Sequence, residues 1–246
     1  MSRETRRVEL ASAYILHHRP FRDTSRILEV LSRDHGRMTL FARGVRGARS
    51  MSASLLQPFV PLLLSWSGRG EAAQLTRVEA AVDLAAAKLP AAALMSCFYL
   101  NELLLRLTTR HDPNSRIYDI YAATLAALRT GQPLEPSLRL FERDLLEAAG
   151  FGLQLQCEAH GGRAVRAEAF YRFRPALGLI EAGEADAGAI RGASVLALAA
   201  GDLHSAEQLD EARRLLRIAI DEALEGRELA TRAVARAVLR GKAARQ

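Results

Sequence analysis

The chain has few cysteines and no long apolar run. Cys97 and Cys157 are its two cysteines, too few for a disulfide framework and typical of a protein kept in a reducing compartment. The charged first residues are not followed by the apolar segment of a secretory signal. Apolar runs such as Leu62–Leu64 are far shorter than the roughly 20 residues that cross a bilayer. The sequence therefore predicts a cytoplasmic protein with no membrane partner.

The short motifs of common catalytic sites are also missing. Gly241–Lys242 is followed by alanine and lacks the upstream glycine of a phosphate-binding loop, so ATP hydrolysis is not supported. The histidines are scattered, and no Gly-x-Ser-x-Gly elbow occurs. Cys157 and His160 have the spacing of half a zinc site, but no second pair follows, and a buried cysteine with a loop histidine is the alternative. We therefore predict a protein that is not an enzyme and holds no metal ion and no cofactor.

Acidic residues are absent from His35 to Gly70, a stretch that carries Arg37, Arg43, Arg46, Arg49 and Arg69. Residues 1–80 hold 13 basic and 7 acidic side chains, whereas the rest of the chain holds 21 of each, so the formal net charge of +6 arises entirely in the first part. A concentrated positive region on a small β unit is typical of nucleic-acid binding. Two alternatives stay open: a GC-rich genome also favours arginine, and surface arginines are often solvated or ion-paired.

Residues 9–80 show short β-prone segments separated by turn signals. The first is predicted to end at Arg19–Pro20, and Asp34–Gly36 is predicted to form a hairpin turn. Five such segments in about 70 residues predict a five-stranded OB barrel, a fold that commonly binds nucleic acid.

Residues 37–45 alternate with period two, which places Met38 and Leu40 on one face and Phe41 and Arg43 on the other. A base could stack on Phe41 while Arg43 holds a phosphate, an arrangement common in single-strand binding. The alternative is that Phe41 is a core residue.

From residue 81 onward the periodicity is helical. Helices are predicted over residues 91–109, 115–129, 136–150, 205–224 and 228–239. Residues 151–182 carry glycines and are weakly β-like, which predicts a small irregular insert that resembles a zinc knuckle without a complete ligand set. The fold class is therefore α+β multidomain, with an OB barrel over residues 1–80 and a mainly helical domain over residues 81–246.

The last predicted helix carries a second basic stripe. Arg232, Arg236 and Arg240 recur four residues apart and Lys242 follows, so this face could extend a DNA-binding surface. The alternative is a solvated amphipathic helix whose other side packs inward through Leu229, Val234 and Val238.

An ordered series of short motifs resembles a known family. Among them are Ala13-Tyr-Ile-Leu-His-His-Arg-Pro-Phe21, Ala42-Arg-Gly44, Leu56-Gln-Pro-Phe-Val-Pro-Leu62, Tyr99-Leu-Asn-Glu-Leu-Leu104 and the run from Leu138 to Gly152. This series is similar to the bacterial recombination mediator family RecO, and the likeness covers nearly the whole chain. Residues 228–232 lie where that family carries a Leu-x-Ser-Arg motif, and Arg43 stands where it usually has lysine.

The resemblance implies a nucleoid-associated protein of RecF-pathway DNA repair that binds single- and double-stranded DNA and anneals complementary strands. It also implies association with RecR and help in loading RecA onto strands coated by the single-stranded DNA-binding protein, whose C-terminal tail would be bound. Some members carry a four-cysteine zinc site, of which only Cys157 is present here.

We place that tail beside Arg139, which neighbours Leu138 and Leu140; a structural ion pair with Glu135 or Glu142 is the alternative. Two other functions remain open from the residues themselves. One is an RNA-binding or translation-associated OB-fold protein, and the other is a helical scaffold whose barrel binds protein only.

Overall fold

The structure is a computed structural model that describes residues 7–45, 54–68 and 72–243, and the side chains of residue 72 and residues 238–243 fall outside that description. Two compact units hold these residues. The first contains the described residues up to Thr130 together with those from Leu229 onward, and the second is Gly131–Glu228. The first unit thus includes residues beyond the predicted domain boundary at residue 80. In the structure, residue 80 is the last residue of the barrel strands, and helices follow it.

A closed five-stranded barrel opens the first unit. Its strands are β1 (Arg7–Phe21), β2 (Ser25–Ser32), β3 (Gly36–Ala42), β4 (Leu62–Ser67) and β5 (Ala72–Ala80). They pair in the order β1-β2-β3-β5-β4, and β4 also pairs with β1; β3 and β5 are parallel, and the other neighbouring strands are antiparallel. This confirms the predicted five-stranded OB-like barrel.

Alternate residues of the strands fill the barrel. Met38 and Leu40 on β3 pack with Leu62, Leu64 and Trp66 on β4, and all of them are buried. The period-two pattern of the sequence therefore assigns the inner face correctly, since successive side chains of a strand point to opposite sides.

The first strand is longer than the sequence predicts, because it continues through Arg19 and Pro20 to Phe21. This end of β1 pairs with β2 alone, since β4 pairs with β1 only as far as Ala13. A proline removes no ladder hydrogen bond from an unpaired strand edge, so Pro20 is tolerated there.

Helices of the first unit are α1 (Leu94–Leu107), α2 (Ser115–Arg129) and, after the second unit, a helix over Ala230–Ala243. The ring of Tyr14 on β1 lies 5.4 Å from that of Tyr118 and 5.1 Å from that of Tyr121, both on α2. The buried Asn101 amide on α1 donates to the Leu16 carbonyl at 2.7 Å. These buried contacts explain why α1 and α2 belong to the same compact unit as the barrel.

The second unit consists of α3 (Leu134–Ala148), β6 (Phe170–Arg174), β7 (Gly178–Ala182), β8 (Ile190–Arg191), α4 (Gly192–Ala200) and α5 (Ala206–Ala223). The helix over Ala230–Ala243 of the first unit follows α5 in the chain and is called α6. The insert expected to be irregular supplies β6 and β7 of an antiparallel sheet in the order β7-β6-β8, and β8 follows the insert. The capping box of Ser205 and Gln208 begins α5 as predicted. The helix α4 was not predicted, because it is short and apolar on most sides and therefore lacks a helical stripe.

Candidate nucleic-acid interface

The outer face of β3 carries the residues that the sequence assigns to DNA. Because Met38 and Leu40 point inward, Arg37, Thr39 and Phe41 point outward. Arg37 lies near the start of the strand and Arg43 lies one residue beyond its end. The two arginines have different surroundings.

Arg37 is a structural residue and not a free phosphate ligand, which corrects the prediction. Its guanidinium donates to the Thr108 carbonyl at 2.8 Å and to the Thr108 hydroxyl at 3.0 Å, and it lies 3.4 Å from the Glu29 carboxylate. Burial lowers the pKa of Arg37, although the charge of Glu29 opposes that shift. The partner carboxylate comes from the neighbouring strand β2, outside the acid-free stretch, and therefore escaped a search along the sequence.

Phe41 is outside the core cluster of the barrel, which answers the alternative left open by the sequence. Its half-buried ring packs against the ring of Phe21 with 5.3 Å between centroids and 49° between planes. Phe21 is the last residue of β1, so two strands supply one aromatic platform. Such a platform on the outside of an OB-like barrel can stack unpaired bases.

Three exposed arginines lie within two residues of this platform along the chain. Arg19 is opposite Ile27 on β2, which is opposite Phe41 on β3, so all three lie in one row of the sheet. The Arg22 guanidinium lies 5.2 Å from the centre of the Phe21 ring. Neither Arg19 nor Arg43 makes a hydrogen bond or ion pair with another residue in the described part of the chain. We call Arg19, Phe21, Arg22, Phe41 and Arg43 the aromatic–arginine face.

Sequence reasoning missed Arg19, Phe21 and Arg22. These residues lie before the acid-free stretch and close to Asp23, and the sequence predicts that the first strand ends at Pro20. A register assignment that continued β1 to Phe21 could have found them, because it places Arg19 in line with Phe41. Arg46, Arg49 and Arg69 lie outside the described residues, so their assignment to DNA stays a prediction.

The second basic stripe lies on α6. Arg236 is exposed, and the Arg232 guanidinium lies 5.8 Å from the centre of the Tyr99 ring on α1. Arg240 and Lys242 are in the helix, but their side chains are outside the described part of the structure. Leu229 is buried, whereas Val234 is 49% exposed, so the inward packing expected of Val234 in the alternative interpretation is wrong.

Comparison with known proteins identifies the family. The family model described as Recombination protein O N terminal matches residues 7–82, and that described as Recombination protein O C terminal matches residues 91–233. The DNA repair protein RecO of Methylococcus capsulatus is 46% identical over 226 residues, which are 92% of each chain. The corresponding protein of Alkalilimnicola ehrlichii is 45% identical over 238 residues, 95% of this chain and 93% of its own.

The chain belongs to the RecO family. The family is one of DNA repair and recombination proteins, which is the function class that the resemblance implied.

Arg139, which the sequence analysis placed beside a partner's tail, lies on α3. The side chain is buried, and its guanidinium lies 2.9 Å from the equally buried carboxylate of Glu142, one turn along α3. Arg139 is therefore not exposed to a partner's tail, which corrects the prediction, and it makes the ion pair with Glu142 that was the alternative. A buried charge that lost this partner would be strongly destabilising.

The zinc-knuckle-like region of this RecO-family chain has other contacts. Glu158, next to Cys157, is buried and pairs with Arg163 at 2.8 Å. Within the described ranges, no three histidine, cysteine, aspartate or glutamate side chains are grouped so as to hold a metal ion. Among the same residues, none of the helices has the length and apolar character needed to traverse a bilayer.

Proposed function

We propose that the chain is a non-catalytic mediator of homologous recombination. It binds single- and double-stranded DNA, anneals complementary strands and helps to load RecA onto strands coated by the single-stranded DNA-binding protein. RecR and the C-terminal tail of that coating protein are its proposed partners, on the strength of family membership. The aromatic–arginine face is the observation that carries the DNA-binding part of this proposal.

The face combines two kinds of contact that suit a flexible single strand. Phe21 and Phe41 offer π surfaces to bases of any identity, so binding by stacking does not depend on sequence. Arg19, Arg22 and Arg43 lie around the rings and can neutralise phosphates, which releases counterions and makes the affinity fall steeply with salt.

Annealing needs no nucleophile and no metal ion from the protein. Two complementary strands repel each other through their phosphates, and a basic surface that binds both lowers that repulsion. An aromatic platform holds bases unstacked from their neighbours and open to pairing. The aromatic–arginine face, with the basic stripe of α6 as a second surface, supplies both conditions.

The test compares two double variants of the full chain. Arg19→Gln with Arg43→Gln removes two charges from the aromatic–arginine face. Arg7→Gln with Arg77→Gln removes two exposed barrel arginines that pair with Glu9 and Glu79. We expect the first pair to weaken binding of a labelled single strand at least about tenfold at low salt and to reduce the salt slope by about 2. The control pair should retain most of the affinity.

Equal losses in the two double variants would remove the face from the proposal, because net charge alone would then explain binding. An annealing assay on strands coated with the single-stranded DNA-binding protein, with and without its C-terminal tail, tests the mediator role. Faster annealing that depends on the tail supports that role. A matched RNA strand bound more tightly than DNA would favour the RNA-binding alternative.

A further inference from the structure

The residue before α6 has a side chain that cannot cap the helix. Leu229 occupies the position before Ala230, where serine, threonine, aspartate or asparagine would accept from the first free N–H groups of the helix. The Leu229 side chain has no acceptor and is buried. The first turn of α6 therefore needs an acceptor from elsewhere in the chain.

Glu102, in the middle of α1, supplies that acceptor. One oxygen of its carboxylate accepts from the Ala230 N–H at 2.8 Å, and the other accepts from the Thr231 N–H at 2.9 Å and the Thr231 hydroxyl at 2.7 Å. A carboxylate at a helix N-terminus is also favoured by the helix dipole. All three bonds join segments almost 130 residues apart in the chain.

The charge state of Glu102 agrees with this role. Burial alone would raise the pKa of its carboxyl group, but the hydrogen bonds from Thr231 and Ala230 and the charge of Arg106 outweigh burial and lower the pKa. The carboxylate is therefore ionised at neutral pH, in the form that accepts from the helix.

Two more contacts tie the start of α6 to α1. Leu229 is buried, and the Arg232 guanidinium lies over the ring of Tyr99, which precedes Glu102 by three residues on α1. Because α1 also packs against β1 of the barrel, the start of the basic helix has a defined place in the first unit. The position of the basic stripe thus depends on a few contacts at one end of α6.

We propose that Glu102 is a positioning residue that docks α6 on α1, so that the basic stripe of Arg232, Arg236 and Arg240 adds a second phosphate-binding surface to the barrel unit. The inference rests on the proposed DNA-binding function. It assigns no contact with DNA to Glu102 itself, whose negative charge would repel a phosphate.

The experiment compares Glu102→Gln with Glu222→Gln in the full chain. Both variants raise the net charge by one, but Glu222 is exposed on α5 of the second unit, whereas the Ala230 and Thr231 N–H groups donate to Glu102. Loss of charge at a helix cap should speed hydrogen exchange of the Ala230 and Thr231 amides about tenfold in Glu102→Gln. Single-strand affinity should fall about threefold and the salt slope by about 1, despite the added positive charge. Glu222→Gln should leave exchange unchanged and bind DNA at least as well as the wild type.

A double-mutant cycle separates positioning from a general loss of structure. In a chain whose stripe is removed by Arg232→Gln, Arg236→Gln and Arg240→Gln, Glu102→Gln should still speed amide exchange but should no longer weaken DNA binding. An unchanged exchange rate in Glu102→Gln would overturn the docking role. If Glu102→Gln shows faster exchange but binds DNA as tightly as Glu222→Gln does, the link between docking and DNA binding is overturned. A wild-type chain without salt-dependent DNA affinity would instead overturn the proposed function and leave the exchange result intact.

Discussion

Two groups of arginines on the same barrel have different surroundings. Arg33 and Arg37 are tied to the helices of the first unit: Arg33 makes two hydrogen bonds of 2.9 Å with Asp119 on α2, and Arg37 bonds to Thr108 just after α1. Arg19 and Arg43 are exposed and lie two residues from Phe21 and Phe41 along the chain. Arg43 is six residues beyond Arg37, roughly 20 Å along an extended strand.

The comparison shows that a count of charges along a sequence does not distinguish arginines that hold helices on the barrel from arginines that are exposed to solvent. Helices that pack on a barrel need polar partners at its rim, and arginine provides long side chains with several donors for that purpose. Among the described residues Arg19 and Arg43 make no such bonds, so in the proposed function their donors are available to a phosphate. The position of an arginine along its strand distinguishes the two groups, whereas the density of positive charge along the sequence does not.

The largest expected effect on stability comes from breaking the structural group. Arg37→Ala should lower the free energy of unfolding by about 2–3 kcal/mol, because it removes the donors to Thr108 and a partly buried partner of Glu29. Urea denaturation measures the change, and Arg43→Ala, which removes an exposed side chain, is the matched control. A stable Arg37→Ala variant with much weaker DNA binding would return Arg37 to the DNA-binding group.

The next effect concerns the aromatic platform. Phe41→Ala should weaken binding of a single strand about tenfold, since stacking of a base on an aromatic ring contributes about 1–3 kcal/mol. Duplex binding should change less, because paired bases do not expose their faces. Phe41→Tyr keeps a ring and should retain the affinity. Equal weakening of single-strand and duplex binding by Phe41→Ala would mean that Phe41 only supports the fold of the face.

The barrel and most of the helices could be predicted because local patterns specify them. The alternation of residues 37–45 identifies the core side of β3, and the apolar spacing of residues 115–129 defines the α2 helix that the structure contains. Ser205 and Gln208 mark the start of α5 with side-chain hydrogen bonds that depend on four residues only.

The candidate face could be predicted only in part, because it depends on contacts between strands. Phe41 and Arg43 follow from alternation within one strand, but Phe21 and Arg19 join them through the register of β1 with β2 and β3. The pairing of Arg37 with Glu29 has the same origin. The cap of α6 by Glu102 is a still longer-range contact, and no local pattern indicates it.

A smaller effect tests which property of Arg43 matters. Arg43→Lys keeps the charge but loses the planar guanidinium, so single-strand affinity should stay within about twofold and the salt slope should not change. Arg43→Gln should reduce the slope by about 1. If Arg43→Lys binds as weakly as Arg43→Gln, the guanidinium contacts a ring or a base edge, and its charge alone does not explain binding.

The smallest effect comes from the exposed pair of Arg33 and Asp119. The hydrogen bond from Arg33 lowers the pKa of Asp119, so the ionised carboxylate favours the folded state. This contribution is present above the unfolded pKa of about 3.9 and is lost as pH falls through the lowered pKa of the folded state. Asp119→Asn should therefore lower Tm slightly at neutral pH and leave it equal to that of the wild type at the acid end of a titration. Salt should reduce the difference, because the pair is open to solvent. DNA affinity should not change. A loss of affinity in Asp119→Asn would show that the arginines bonded to the helices also contribute to DNA binding, which would contradict the division into two groups.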